Sequence, residues 1–273
     1  MDAGRLDELT GIAAEVAAEA GALVLRSYRQ GVASREKGRA DLVTEVDLAS
    51  ERLIRRRLAE RTPELATVGE EEGGQSDGPT WFCDPIDGTT NFVHGHPFFC
   101  VSLGLMDAGR PLLGTVDAPA LGLHWQGRAG GATLRNGEPC RVSDTRSLSQ
   151  ALVATGFHPR DRTDADHDNR ATFARVLGQV QGIRRCGSAA LDLCLTADGT
   201  YDAYWERTLS VWDTAGGAAI ALAAGATISA LDGGPVDLTV GHLLVSNGHL
   251  HDELRALVAP PADAGPGGTP PAS

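Results

Sequence analysis

The chain has 273 residues, 42% of them hydrophobic and 22% charged, the balance of a soluble globular protein long enough to bury its own core without staples. Its 24 Lys and Arg against 36 Asp and Glu leave a net charge of −12, which argues against nucleic acid as a partner, since affinity for a phosphate backbone comes from clustered cations; a small phosphorylated ligand stays compatible if cations stand between it and the carboxylates. No apolar run approaches the ~20 residues of a membrane span, the N-terminus lacks the order of a signal peptide, and Cys83, Cys100, Cys140, Cys186 and Cys194 form no C-x-x-C pair, which points to free thiols in a reducing cytoplasm rather than to disulfides or zinc.

Leu9, Ile12, Val16, Ala20 and Leu23 recur at helical spacing, so 6–30 reads as one amphipathic helix. The segment 34–40 reads as a polar connection, and 48–61 as a second helix with Leu53, Ile54 and Leu58 on its apolar face. Strands follow at 98–106, with Gly109 and Pro111 as hairpin punctuation, and at 112–118 and 122–134. The first half is thus two helices and a mostly antiparallel sheet. From about 151 onward strands and helices alternate, which marks an α/β half: a strand at 151–155, a polar loop at 158–169, helices around 173–177, 188–197 and 213–224, and a strand at 201–205. We therefore divide the chain into 1–150 and 151–259, followed by 260–273, where five Pro and three Gly predict a disordered tail.

The chemistry concentrates in Trp81-Phe82-Cys83-Asp84-Pro85-Ile86-Asp87-Gly88-Thr89-Thr90-Asn91-Phe92. Here a strand ends in two aspartates three apart; Pro85 sets its own φ and Gly88 permits a turn closed to other residues. Both carboxylates can then converge, and the backbone N–H groups opening the next helix face the same space, a natural phosphate seat. More acids stand at other element ends: Glu70-Glu71-Glu72 after the apolar 66–68, Asp41, Glu45 and Asp47 at a helix entrance, and Asp213 after Trp212. Read singly, these are turn residues, helix caps or a solvated acidic loop. Taken together with the hydroxyls and carbonyls, and with no His or Cys ligand pattern, they suit a hard cation such as Mg²⁺. There is no G-x-S-x-G elbow and no Walker A run.

These pieces resemble the inositol monophosphatase family, within the lithium-sensitive, magnesium-dependent phosphatases. The matching residues run in the family's order over about 30–225: Asp41-Leu42-Val43-Thr44 with Asp47, Gly69-Glu70-Glu71, Trp81 with the Asp84-to-Phe92 block, Gly187-Ser188-Ala189-Ala190, and Trp212-Asp213. The resemblance implies an α/β (α+β) fold, a layered αβαβα sandwich, and hydrolysis of myo-inositol monophosphate by metal-activated water. It implies two or three Mg²⁺ per site: Glu70, Asp84 and the Ile86 carbonyl for the first, Asp84, Asp87 and Asp213 for a second. Gly88 and Thr89 would contact phosphate through their amides, Asp47 and Thr89, with Glu70, would serve catalysis, and Ser188, Ala189 and Glu206 would touch the inositol ring. A homodimer is implied as well. Histidinol phosphate, fructose 1,6-bisphosphate or a nucleotide are alternative substrates, and a non-catalytic regulatory role is a further reading. Two departures stand out: Gly216 where the family pattern has Ala, which should loosen a helix by up to about 1 kcal/mol, and Lys37, one residue nearer Asp41 than in some relatives.

Overall fold

The computed structural model describes residues 1–38, 41–157 and 169–259, the side chains of Lys37 and Asp41 excepted. The expected tail at 260–273 and most of the polar loop at 158–169 lie outside the described residues.

The N-terminal helix α1 (Ala3–Ser27) is capped by the Asp2 carboxylate and buries Leu9, Ile12, Val16, Ala20 and neighbours. The stretch expected as a mere connection is instead β1 (Ser34–Gly38), paired in an antiparallel hairpin with β2 (Asp41–Thr44). Ser34 to Glu36 are all exposed, so the segment carries no period-2 pattern to betray a strand. Helix α2 (Glu45–Arg61) starts earlier than the apolar pattern suggested, because Thr44 and Asp47 form a reciprocal capping box that nucleates it.

A seven-stranded sheet follows, in the order β3 (Ala66–Gly69), β4 (Thr80–Asp87), β5 (Cys100–Asp107), β6 (Arg110–Ala118), β7 (Leu123–Arg128), β8 (Thr133–Arg135) and β9 (Glu138–Cys140). Only β3 and β4 pair in parallel. The single strand expected at 122–134 is two, β7 and β8, separated by a turn with Gly130 at φ 68°. Helix α3 (Thr89–Val93) leaves β4 through Gly88, at φ 97°.

A five-stranded sheet is ordered β11 (Gly182–Arg184), β10 (Leu152–Thr155), β12 (Ala203–Glu206), β14 (Leu243–Ser246) and β13 (Thr227–Ser229). Its helices are α4 (Arg170–Leu177), α5 (Ala189–Ala197), α6 (Val211–Ala223) and α7 (His251–Val258).

Three apolar clusters bind five layers. One joins α1 and α2 to the seven-stranded sheet through Trp81, Val101, Leu103 and Leu105. The next joins the opposite face of that sheet, through Phe82 and Val116, to α5, α6 and the second sheet. The last places Val153, Trp205 and Leu244 against α4 and α7. Successive strand residues face opposite layers: Trp81 points to one cluster and Phe82 to another, as do Tyr204 and Trp205. The architecture is therefore the expected αβαβα sandwich. Helix α6 can seat close to the first sheet because glycines meet there: a Cβ on Gly114 would lie 2.0 Å from the Gly216 carbonyl oxygen, and one on Gly216 only 2.7 Å from Ser102 Oγ. Gly216 is thus a packing requirement, and its propensity cost is offset by close approach.

Candidate active site

The expected site residues that share the cavity arrive from six elements. β4 supplies Asp84, Ile86 and Asp87, the end of β3 leads into Glu70, α3 opens with Gly88 and Thr89, α5 begins at Ser188 and Ala189, and Glu206 and Asp213 come from β12 and α6. All of these line one cavity of about 200 Å³. Strand β4 is interrupted between Asp84 and Asp87 by an irregularity in its pairing with β5, which lets two acids three apart reach the same space.

Three of the carboxylates accept from backbone amides. Asp84 Oδ1 accepts from the Ile86 N–H at 3.0 Å. Asp87 Oδ2 accepts from Ser188 Oγ and from the Ala190 N–H, both at 2.7 Å. Asp213 Oδ2 accepts from the Ser210 N–H at 2.7 Å as the N3 member of a capping box. Burial pushes Asp84 well above the ordinary carboxylate range, with Glu70, Asp87 and Asp213 adding like-charge repulsion. Asp213 is pushed well up by the same two causes, Asp87 and Glu70 being its nearest charges. Burial lifts Asp87 to about 6, against the pull of Ser188 and the α5 amides. Acids forced together in this way need either protons or cations.

Asp47 does not line the cavity. It is fully buried behind it, with Oδ2 accepting from Thr44 N–H at 2.9 Å and Thr44 Oγ1 at 2.5 Å. The Thr89 hydroxyl lies between Asp47 Oδ1 at 3.0 Å and the Ile86 carbonyl at 2.9 Å. Ser50 Oγ donates to the Pro85 carbonyl at 3.1 Å, tying α2 to the same turn. Ser188 is engaged inward: besides donating to Asp87 it accepts from the Leu191 N–H as the cap of α5. Glu206 is buried, with Tyr204 OH donating to Oε2 at 2.6 Å. A Cβ on Gly156 would meet its carboxylate oxygens at 1.9–2.0 Å, so Gly156 leaves the room in which this acid lies.

Sequence reasoning missed Leu42, Thr90, Asn91, Phe157, Arg185 and Leu209 on the cavity wall. Asn91 Nδ2 reaches the Phe98 carbonyl at 2.7 Å and the Cys186 carbonyl at 2.8 Å, fastening the phosphate-seat turn to the start of α5. Its place in the Asp84-to-Phe92 block was a signal, as was Arg185's place two residues before Gly187-Ser188; Phe157, remote in sequence from any motif, carried none. The donor set fits a hard divalent cation: carboxylates and a carbonyl, with no His or Cys among the lining residues. Among the described residues no three acid, His or Cys side chains already close on one point as a formed cage. This is therefore a set of mutually repelling oxygens that a cation would draw in.

The five-layered αβαβα fold thus brings a carboxylate-lined cavity beside a Gly-Thr helix start, an arrangement suited to cations and a phosphate ester. The inositol monophosphatase family model matches residues 5–261. The chain is 43% identical over 256 residues to an inositol-1-monophosphatase of Synechocystis sp., covering 92% of this chain and 88% of the relative. It is 38% identical to the Nus factor SuhB of Pseudomonas aeruginosa, over 93% and 97% of the two chains. The solved inositol monophosphatase of Anabaena (Nostoc) sp. superposes with a TM-score of 0.85 at 36% identity, covering 94% of this chain and 98% of that one. The chain belongs to the inositol monophosphatase family and is a phosphatase.

Proposed function

We propose that the chain is a Mg²⁺-dependent phosphomonoesterase that hydrolyses myo-inositol monophosphate to inositol and phosphate. The observation that carries this reading is the gathering of Glu70, Asp84, Asp87 and Asp213 at one cavity with Glu206 also on its wall. Four acids suit two or three cations and a phosphate; one further acid suits a polyol. The name of the Synechocystis relative supports the same substrate.

When bound, the cations would supply a water of lowered pKa and stabilise the leaving oxygen. The protein's own groups do the rest. Glu70, Asp84 and the Ile86 carbonyl, and Asp84, Asp87 and Asp213, would hold two such ions, with a third near Glu70. The Gly88 and Thr89 amides would donate to phosphate oxygens. The Thr89 hydroxyl, steadied by Asp47 Oδ1, would orient the attacking water. Glu206, whose Oε2 accepts from Tyr204 OH, would bind ring hydroxyls, and the Ala189 segment would close the ring side. No group on this list forms a phosphoryl-enzyme. Lithium sensitivity and a homodimer rest on the family resemblance, and a cytoplasmic location on the five free cysteines; among the described residues no helix is long and apolar enough to cross a membrane.

The test is phosphate release from inositol monophosphate, histidinol phosphate, fructose 1,6-bisphosphate and a nucleoside monophosphate, with Mg²⁺, with Zn²⁺ and with neither. Mg²⁺-dependent turnover, fastest on inositol monophosphate and inhibited by Li⁺, is expected. Preference for histidinol phosphate or the bisphosphate overturns the substrate. No turnover of any ester with Mg²⁺ overturns the enzyme reading and favours a regulatory role of the kind the name Nus factor suggests.

A further inference from the structure

Helix α2 carries a charged pair that the chemistry above does not use. Glu51 is fully buried, an uncommon state for an acid. Four residues on, and so on the same helix face, Arg55 donates from Nε to Glu51 Oε1 at 2.8 Å. The pair faces the turn between β3 and β4, the turn that contains Glu70. Glu51 Oε2 accepts from the Glu71 N–H at 2.7 Å, and Oε1 accepts from the Glu72 N–H at 3.0 Å. Arg55 takes the other polarity of the same turn: Nη1 donates to the Thr67 carbonyl at 3.2 Å and Nη2 to the Gly73 carbonyl. Gly69 and Gly73 close the turn on each other at 3.0 and 3.1 Å, and the Glu70 N–H is bonded to the Cys83 carbonyl at 3.2 Å, beside Asp84.

The fit around Glu51 is tight. A Cβ on Gly69 would lie 2.3–2.7 Å from both Glu51 oxygens and the carbon between them. The residue before Glu70 is therefore glycine because the carboxylate occupies the side-chain space. Two amides and one guanidinium spend their hydrogen bonds on one buried carboxylate, and two carbonyls of the same turn spend theirs on that guanidinium. This is a full set of charge-assisted bonds, the condition under which a buried pair is tolerable and specifies one geometry.

We propose that Glu51 and Arg55 are positioning residues that clamp the 69–73 turn in the metal-free protein, so that Glu70 is delivered beside Asp84 before a cation arrives, and that this clamp sets the affinity of the site for its divalent ion. The inference rests on the metal-dependent reading given above. Glu70, Asp84 and Asp213 line one cavity, and the backbone that carries Glu70 is the turn held by this pair, so without the clamp each binding event would have to order that turn again. Groups that orient a metal ligand in this way contribute about 10–100-fold to metal affinity.

The experiment compares the wild type with Glu51→Gln, Gly69→Ala and Arg55→Gln. Glu51→Gln keeps the shape but cannot accept from both amides and the guanidinium. Gly69→Ala drives a methyl into the Glu51 carboxylate without touching it chemically. Three quantities are read: amide hydrogen exchange of the 66–74 segment without metal, the Mg²⁺ concentration for half-maximal rise in Tm, and the Mg²⁺ concentration for half-maximal activity. Both Glu51→Gln and Gly69→Ala are expected to exchange faster in 66–74 and to need at least about 10-fold more Mg²⁺ by both measures. Their kcat at saturating Mg²⁺ should stay within about threefold of the wild type. Arg55→Gln should move the same quantities by less, and it decides the matter where the other two do not fold. A folded variant with lowered metal-free Tm but an unmoved Mg²⁺ requirement overturns the clamp and leaves a merely structural pair. A wild type that responds to Mg²⁺ in neither Tm nor activity overturns the metal-dependent reading itself, and this inference with it.

Discussion

Ser188 and Glu206 illustrate how a residue's chemistry depends on what its neighbours have already claimed. The resemblance implied that both touch the inositol ring, yet the Ser188 hydroxyl is bonded to Asp87 at 2.7 Å and caps α5. Ser188→Ala should therefore cost about 1 kcal/mol of stability through the lost cap while leaving KM for inositol monophosphate within about twofold. Chemical denaturation and steady-state kinetics check this; a tenfold rise in KM at unchanged stability would return Ser188 to the substrate. Glu206 has one oxygen held by Tyr204 and lies on the cavity wall. Glu206→Gln is expected to lower kcat/KM on inositol monophosphate by about 1–3 kcal/mol, the range for a hydrogen bond to a charged group. A small generic monoester without ring hydroxyls should be affected much less. Equal losses on both would show that Glu206 acts through the cations or the fold.

At the scale of elements, the seating of α6 on β5 and β6 decides how the middle layer approaches the first sheet. Propensity alone says that Gly216→Ala should stabilise α6 by about 1 kcal/mol. Packing says the reverse, because the new methyl would sit 2.7 Å from Ser102 Oγ and 2.8 Å from the Leu103 carbonyl oxygen. Overpacking of this kind costs about 1–3 kcal/mol, so the net expectation is a Tm lower by several degrees. Since α6 also presents Asp213, its displacement should raise the Mg²⁺ requirement as well. A thermal melt showing a higher Tm would mean that α6 has room to lift off the sheet at no cost.

For the whole molecule, the buried acids couple folding to protons and to cations. Asp87 has its folded pKa raised from 3.8 to about 6, and Asp84 and Asp213 are raised too. An acid raised on folding stabilises the fold below its unfolded pKa, and that stability is lost as pH rises through the folded value. The metal-free protein should therefore lose stability as pH rises from about 4 to above 6, against the usual trend of acid denaturation. From Asp87 alone the loss is up to about 3 kcal/mol, at roughly 1.4 kcal/mol per pKa unit. Mg²⁺ supplies the missing counter-charge in competition with protons, so its effect on Tm should be larger at pH 7.5 than at pH 5.5. Differential scanning calorimetry with chelator and with Mg²⁺ at both values checks this, and an equal Mg²⁺ effect at the two values would remove the carboxylates from the linkage.

The sequence by itself determined the elements with a clear period and the motif that carries the chemistry. Helix α1 shows its stripe, the strands β5 and β6 show as apolar runs between turn residues, and Asp84-Pro85-Ile86-Asp87-Gly88-Thr89 makes the expected strand, turn and helix start because Pro85 fixes its own φ and Gly88 alone takes the left-handed turn at φ 97°. The strand β1 was illegible because Ser34 to Glu36 are all exposed, and the short strands β11, β13 and β14 because each is identified by its partners. Glu51 lay half in view: with Asp47, Ile54 and Leu58 it falls on the buried face of α2, and an acid in an apolar stripe is a signal. What that acid holds depends on a turn that arrives twenty residues later, as Ser188 depends on an aspartate 101 residues earlier. Local rules act between neighbours in the chain, whereas a buried hydrogen bond is decided by whichever donor the completed fold brings within reach. The tertiary structure alone made that choice.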